Sequence, residues 1–487
     1  MKYRYLVASL CLAPALAYAD TNPWSTLTRG DILVIHDTLR DNHPGPADPS
    51  NPHYRHWLEK GLPEAFARAD AARSYSDYLR TLQFYTNGFA DGHIVLSPAL
   101  SQRLLTWSGF ILTAHSAADA MVAFAEPDSG LKVGARLISC DGKDFGQLLA
   151  ERTDPYFWNN EIPHARYAQA YRLFYQGRVD PQPRFEECRF SSGPVRLNWR
   201  NTNIDELQPK LDRARGLGAK DLAVRKVQGV WLVSIPTFYF PSNDALAKAR
   251  AFVDELKMRA AELHRGTVVL DVRGNGGGDS SWGDDMLAAL WSRSWVDYIE
   301  NQFDETVDWR ASPGNLAILE HKAADSRNEA HVDAADYYAK AAAAVGAALG
   351  KGEPYGRTEE SHRSLTRPAS NPFLRRVYFF TDIGCASACL DFADVLRQLP
   401  GVVQIGFPTY ADTNYIDNTA QLLPSGLAYL SYSLKVYRHR TRGNNEWYEP
   451  QIRWPGGEVT DESISAWVRK LATRHAESGG ALEPVRQ

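Results

Sequence analysis

Val377-Tyr-Phe-Phe-Thr-Asp-Ile-Gly384-Cys-Ala-Ser387-Ala-Cys-Leu-Asp-Phe-Ala-Asp-Val-Leu396 is the stretch on which the fold turns. An apolar run rich in strand formers, Arg376 to Thr381, meets a glycine turn, and apolar residues at helical spacing follow from Ser387 to Leu399. Strand, tight turn and helix in that order form the unit from which α/β layered sheets are built. The turn carries Ser387 between two alanines. A hydroxyl at a helix N-terminus lies at the sheet edge, where the following N–H groups and the helix dipole can stabilise an oxyanion. The same position suits an N-cap, whose hydroxyl only satisfies the first helical turn. This segment alone leaves both readings of Ser387 open.

The alternation extends upstream and downstream. Gly229 to Phe238 reads as strand, Asn243 to His264 as helix, Thr267 to Val272 as a fully apolar strand and Ser281 to Ser292 as helix; Val402 to Gly406 and Leu427 to Tyr437 read as strands. Residues 221–475 are therefore expected to form one α/β layered sheet. The polar, Ala-rich segment 304–370, with a helix over Tyr337 to Leu349, reads as an insertion. Residues 22–100 show apolar positions at helical spacing (Leu33, His36, Leu39; Tyr78, Leu79, Leu82, Tyr85), broken by His43-Pro-Gly-Pro-Ala-Asp-Pro, and are expected to be a helical N-terminal domain. Residues 104–200 are richer in strand formers and turns and are expected to be a small β-rich module. The whole is a multidomain α/β (α+β) chain.

Composition narrows the function classes. The 487 residues carry 54 Lys+Arg against 58 Asp+Glu without a long basic run, which argues against nucleic acid and anionic membrane as partners. Residues 1–19 have the parts of a secretory signal peptide: Lys2 and Arg4, an apolar run from Leu6 to Leu16, and Ala17-Tyr-Ala19 before a predicted cleavage. No later segment is apolar over the length of a membrane span, so a soluble periplasmic or secreted protein is expected. Cys11 leaves with the signal. Cys140, Cys188, Cys385 and Cys389 form an even set with three possible pairings; Cys385 and Cys389 read as packing or a local disulfide. Their spacing, with no nearby His, does not suit zinc, and no metal or organic cofactor is expected.

Two further strings carry chemistry. In Val268-Val-Leu-Asp-Val-Arg-Gly-Asn-Gly-Gly-Gly278 a buried strand ends in a charged pair and a glycine run, which lets backbone approach a ligand and point N–H groups at it. A dinucleotide loop would need glycine where Asp279 stands, and no Walker lysine follows. In Ala90-Asp-Gly-His93-Ile-Val-Leu, a histidine occupies a turn between helix and strand.

Taken in order, these strings resemble the tail-specific (C-terminal processing) proteases, a serine peptidase family. Leu270 to Gly278 is similar to its DLRxNxGG string, Cys385-Ala-Ser387-Ala-Cys to its TASAAE nucleophile string, Gly406-Phe-Pro-Thr-Tyr to GExT and Glu449-Pro-Gln-Ile to EPDI. Leu131 to Lys143 resembles the core of a PDZ domain. The resemblance implies a crotonase-like protease core, a PDZ-like module at 104–200, Ser387 as nucleophile, and a peptide or protein substrate. The bacterial processing branch places a general-base lysine after GExT, where this chain has Thr409-Tyr-Ala-Asp412-Thr-Asn. The tricorn-like branch instead implies Ser, His and Glu, with His93 as the base. Glu446, or Glu449 as alternative, would be the third member, although a gapless reading puts Asn444 at that position. The N–H groups of Gly277 and Ala388 would form the oxyanion hole. An exported endopeptidase is the reading that results; a binding protein for peptide or apolar ligands and a serine esterase are its alternatives.

Overall fold

The computed structural model describes residues 22–100, 103–177, 183–328, 332–358 and 364–477. The signal peptide expected over residues 1–19 lies outside them. No described helix is long and apolar enough to cross a membrane.

The centre is a six-stranded sheet in the order Ala223–Val227, Val230–Ser234, Val268–Asp271, Val377–Thr381, Val402–Gly406, Ile452–Arg453. Only the first pairing is antiparallel. Parallel strands need helices on both faces, and the central strands Val230–Ser234, Val268–Asp271 and Val377–Thr381 meet that demand by being mostly apolar and buried at every residue. On one face, Phe252, Val253 and Leu256 of the helix Asn243–Arg265 and Phe392, Val395 and Leu396 of the helix Ala388–Leu396 pack on Val233, Leu270 and Phe379. On the other, Ile464, Val468 and Leu471 of the helix Asp461–Glu477 cover Leu232, Val269 and Phe380. The expected strands and helices are present with ends shifted by a few residues. The exception is the first: Gly229 to Phe238 closes a hairpin after Ala223–Val227 and remains strand only to Ser234.

Of the three N-terminal helices, Pro23–Asn42, Pro52–Ala71 and Tyr75–Asn87, the second and third start at side-chain caps; Asn51 accepts from the Tyr54 N–H and Ser74 from the Asp77 N–H. The buried stripe of the first helix is Ile32, Ile35 and Leu39, one position off the expected one, and Leu33 faces solvent. These helices share one core with a second sheet: Ile35, Tyr78 and Leu82 pack with Leu430, Tyr432 and Leu434 of the long strand Ala428–Arg438. Val95–Pro98 pairs with the start of that strand, opposite residues 428–431, and Thr306–Arg310 with its end.

The segment 304–370 is therefore more than an insertion. It contributes two strands, Thr306–Arg310 and Tyr355–Thr358, to this sheet, and its helices Pro313–Asn328 and Val332–Lys351 cover it. Alternation within four- and five-residue strands is too short to stand out beside an Ala-rich helix of twenty residues. Residues 104–203 fold into small sheets around Phe110, Leu137, Leu148, Phe174 and Phe190, and the Cys140–Cys188 disulfide lies within that core.

Trp309 is fully buried where the 304–370 segment enters the sheet. Trp309→Ala is expected to lower stability by roughly 3–5 kcal/mol in urea unfolding. A change below about 1 kcal/mol would show that the segment is a detachable insertion.

Candidate active site

The nucleophile turn is built where strand Val377–Thr381 stops. Asp382 is buried at the strand end, and its carboxylate accepts the N–H groups of Gly274 (3.0 Å) and Gly384 (2.8 Å), tying the glycine run to the turn. Burial raises the Asp382 pKa against these bonds, which lower it. Ser387 follows at φ 55° and ψ −128°, a conformation that L residues rarely adopt and that costs on the order of 1–3 kcal/mol. Its N–H donates to the buried carboxylate of Asp412 (2.7 Å), and its carbonyl accepts from Leu390 N (2.7 Å). Ser387 occupies the N-cap position of Ala388–Leu396, but its hydroxyl makes no capping bond.

Gly277 presses directly on this turn. A Cβ there would lie 2.6 Å from Ser387 Cβ and 2.8 Å from Ala388 N, and at Gly278 it would lie 2.1 Å from Phe238 C. Only glycine permits this approach. Cys385 and Cys389, both buried, are joined by a disulfide that brackets Ser387. Of the pairings the sequence left open, the structure holds this one and Cys140–Cys188.

Ser387 Oγ faces His93 Nε2 at 3.4 Å across 294 positions of chain. That is the long end of a hydrogen bond, as catalytic pairs without substrate often are. His93 is delivered by the strand Val95–Pro98, which starts two residues later and is fixed to the long strand. The turn before it is tight: Ala90 has φ 54°, and its carbonyl accepts from Asn159 Nδ2 (3.0 Å) and Asn445 Nδ2 (2.9 Å). The carboxylate beside His93 is Asp91. It accepts the His93 N–H (2.9 Å) and the Thr413 hydroxyl (2.9 Å) on Oδ1, with His93 Nδ1 at 3.8 Å from the same oxygen, and His43 Nε2 lies 3.1 Å from Oδ2. Burial opposes the Asp91 charge, but the bonds from His43 and His93 N hold its pKa below the ordinary carboxylate value. His93 Nδ1 is buried and has no hydrogen-bond partner among the described residues.

Neither glutamate expected as third member is bonded to His93. The Glu446 backbone pairs with Asp412, its side chain turns to solvent, and the carboxylate accepts Gly443 N (2.9 Å). Glu449, also exposed, bonds Trp447 Nε1 (3.0 Å) and Arg453 (2.6 Å). Asn444 accepts Asn414 N (2.7 Å). Among the described residues, the hydrogen bond from the 444–449 segment to the histidine turn comes from Asn445. Of the two expected oxyanion donors, Gly277 N is already bonded to Asn275 Oδ1 (2.9 Å). No bond among the described residues uses the N–H of Ala388, first in its helix, or of Gly278. Sequence reasoning missed Asp91, His43 and Asp412. The signal for Asp91 was within Asp91-Gly-His93, because an aspartate two residues before a turn residue can accept that residue's N–H.

A strand-to-helix serine elbow, an opposing histidine and a glycine run at the ends of parallel strands define a serine-type peptidase. Residues 230–452 match the model of Peptidase family S41. No curated protein sequence matches it. The crystal structure of mature CPAF is similar over 94% of this chain and 99% of its own, at 13% identity and a TM-score of 0.65. Mature CPAF complexed with lactacystin is similar over 93% and 98%, at 13% identity and TM-score 0.65. At that identity the likeness is one of fold. Among the described residues no group of three or more His, Cys, Asp or Glu is arranged to hold a metal ion.

Two outcomes follow from the bracketed turn. Gly277→Ala is expected to abolish labelling of Ser387 by a fluorophosphonate while the far-UV spectrum stays native; labelling at the parental rate would show that the approach is not needed. Cys385→Ala/Cys389→Ala removes a five-residue loop worth about 2 kcal/mol, read as a shift in denaturation midpoint, and is expected to slow labelling as well.

Proposed function

We propose that the chain is an exported endopeptidase that cleaves peptide bonds through an acyl-enzyme on Ser387, with His93 as general base and Asp91 as the carboxylate that orients it. The carrying observation is the 3.4 Å approach of His93 Nε2 to a serine whose hydroxyl makes no capping bond to its own helix. His93 takes the Ser387 proton as Oγ attacks the peptide carbonyl. The resulting imidazolium faces the Asp91 carboxylate, which stabilises its charge and its Nδ1–H form. The tetrahedral oxyanion is served by the N–H of Ala388, with the helix dipole behind it, and by the glycine run, where Gly278 N replaces the engaged Gly277 N. The leaving amine takes the proton from His93, and water then hydrolyses the ester by the same steps in reverse.

A Ser–Lys site is not favoured, because the residue standing against Ser387 is Asp412. Export is supported by the leader-like N-terminus and by two disulfides, which persist in oxidising compartments. The 104–203 module, with its PDZ-like string, is assigned to capture an extended segment or chain end of the substrate.

Digestion of a peptide library by the wild type is expected to vanish in Ser387→Ala and His93→Ala, and Asp91→Asn should lower kcat by roughly 100–10,000-fold. Peptidase activity surviving in Ser387→Ala would overturn the reading.

A further inference from the structure

His43 lies 50 positions before His93 in a Pro-Gly-Pro stretch that reads as a helix break, yet it is fully buried beside the site. Its ring stacks on Tyr54 (centroids 4.6 Å, 8° between planes) and meets Tyr415 edge-on at 4.8 Å. Its Nδ1 accepts the N–H of Gly45 at 3.0 Å. A nitrogen that accepts carries no proton, so the proton of the neutral ring sits on Nε2 and is donated to Asp91 Oδ2 at 3.1 Å. Burial pushes the His43 pKa below its ordinary value, more than Asp91 and Asp48 raise it, with the His93 charge acting in the same direction as burial. The ring is therefore a neutral donor.

The two oxygens of Asp91 are used unequally. Oδ1 takes the His93 N–H and the Thr413 hydroxyl and faces His93 Nδ1; Oδ2 has only His43 among the described residues. Gly45 closes the arrangement, since a Cβ there would lie 2.5 Å from the Tyr54 ring on which His43 stacks. We propose that His43 is a positioning residue for the proposed reaction: a neutral, tautomer-locked donor that fixes Asp91 with Oδ1 toward His93 and so holds the His93 proton on Nδ1. Without it Asp91 loses the one donor on Oδ2 among the described residues and is held at Oδ1 alone, by the His93 N–H and the Thr413 hydroxyl, so it selects less strictly the tautomer that leaves Nε2 free for Ser387. The inference rests on the Ser387–His93 reading given above.

The test compares His43→Phe, which keeps the stacked ring but cannot donate, with His43→Gln, whose Nε2 can. In His43→Phe, kcat is expected to fall roughly 10–100-fold with KM near the parental value, and His43→Gln to recover most of the loss. A second readout needs no turnover. In a Ser387→Ala background, ¹⁵N shifts of the His93 ring should report the Nδ1–H tautomer, a mixture after His43→Phe, and Nδ1–H again after His43→Gln. A parental kcat in folded His43→Phe overturns the proposal. So does a fall in kcat that leaves the tautomer unchanged or that His43→Gln shares in full, because that pattern belongs to packing alone. If Ser387 is not the nucleophile, the tautomer readout still decides the role of His43.

Discussion

A serine held at φ 55° is the constraint on which the rest of the site depends. Such a backbone relaxes unless its surroundings over-determine it. Here four restraints converge: the Asp412 carboxylate on its N–H, Gly277 packed against its Cβ, the disulfide two residues to either side, and Asp382 gripping the loop from which Gly277 comes. The cost of the strained turn is small beside the parallel sheet beneath it, whose strand Val377–Thr381 is buried at every residue and sandwiched between helices. The scaffold is stiff, and the stored conformation points the hydroxyl away from the helix it would otherwise cap.

The second half of the site comes from elsewhere in the chain. His43 and His93 lie in turns that follow the first and third N-terminal helices, and these helices bury their apolar faces in a core shared with the long strand Ala428–Arg438. The part-buried Arg438 of that strand bonds the buried Asp48, in the turn between the first two helices, and Asp308 of the neighbouring strand, each at 2.9 Å. Removing Arg438 would leave the buried Asp48 carboxylate without its cation, so the pair favours the docked arrangement. The distance from His93 to Ser387 is thus a property of two sheets and their shared helices, not of a flexible loop.

This division explains what the sequence discloses. The strand-to-helix passage around Ser387 and the glycine run were legible because they are local: strand formers, a turn and helical spacing occur within twenty residues. The glycine run as a place of close backbone approach follows from residue type, whereas the segment around Ser387 left hydroxyl and N-cap readings open until the family resemblance was added. The strands at 306–310 and 355–358 were not legible, because their reason for being strands is a partner more than a hundred residues away for one and the neighbouring short strand for the other. That neither Glu446 nor Glu449 is bonded to His93 has a related cause. Extended backbone alternates its side chains, and the pairing of Glu446 with Asp412 that sends Glu446 outward is a tertiary fact. Asp91 lay within the string already read, but its value comes from His43 and Thr413, which only the fold assembles.

The charges around the reacting atoms follow a pattern that favours a histidine base. Two buried carboxylates, Asp91 and Asp412, lie within two bonds' reach of the His93–Ser387 pair, while the nearby guanidinium of Arg273 is already bonded to Asp271 and Asp461. A fixed cation such as lysine at the position of Asp412 would help ionise the serine directly. An anion there cannot; it can only anchor the Ser387 N–H, and that removes one donor from the oxyanion. In the proposed mechanism the positive charge is created during the reaction, on the imidazole, next to Asp91, and the negative charge on the substrate oxygen is met by uncharged donors. The glycine run and the N-terminus of Ala388–Leu396 are of that kind. In the proposed mechanism the two charges separate across Ser387, with carboxylates on the side of the imidazolium and peptide N–H groups for the oxyanion, so that an aspartate at 412 and a histidine base at 93 are parts of one arrangement.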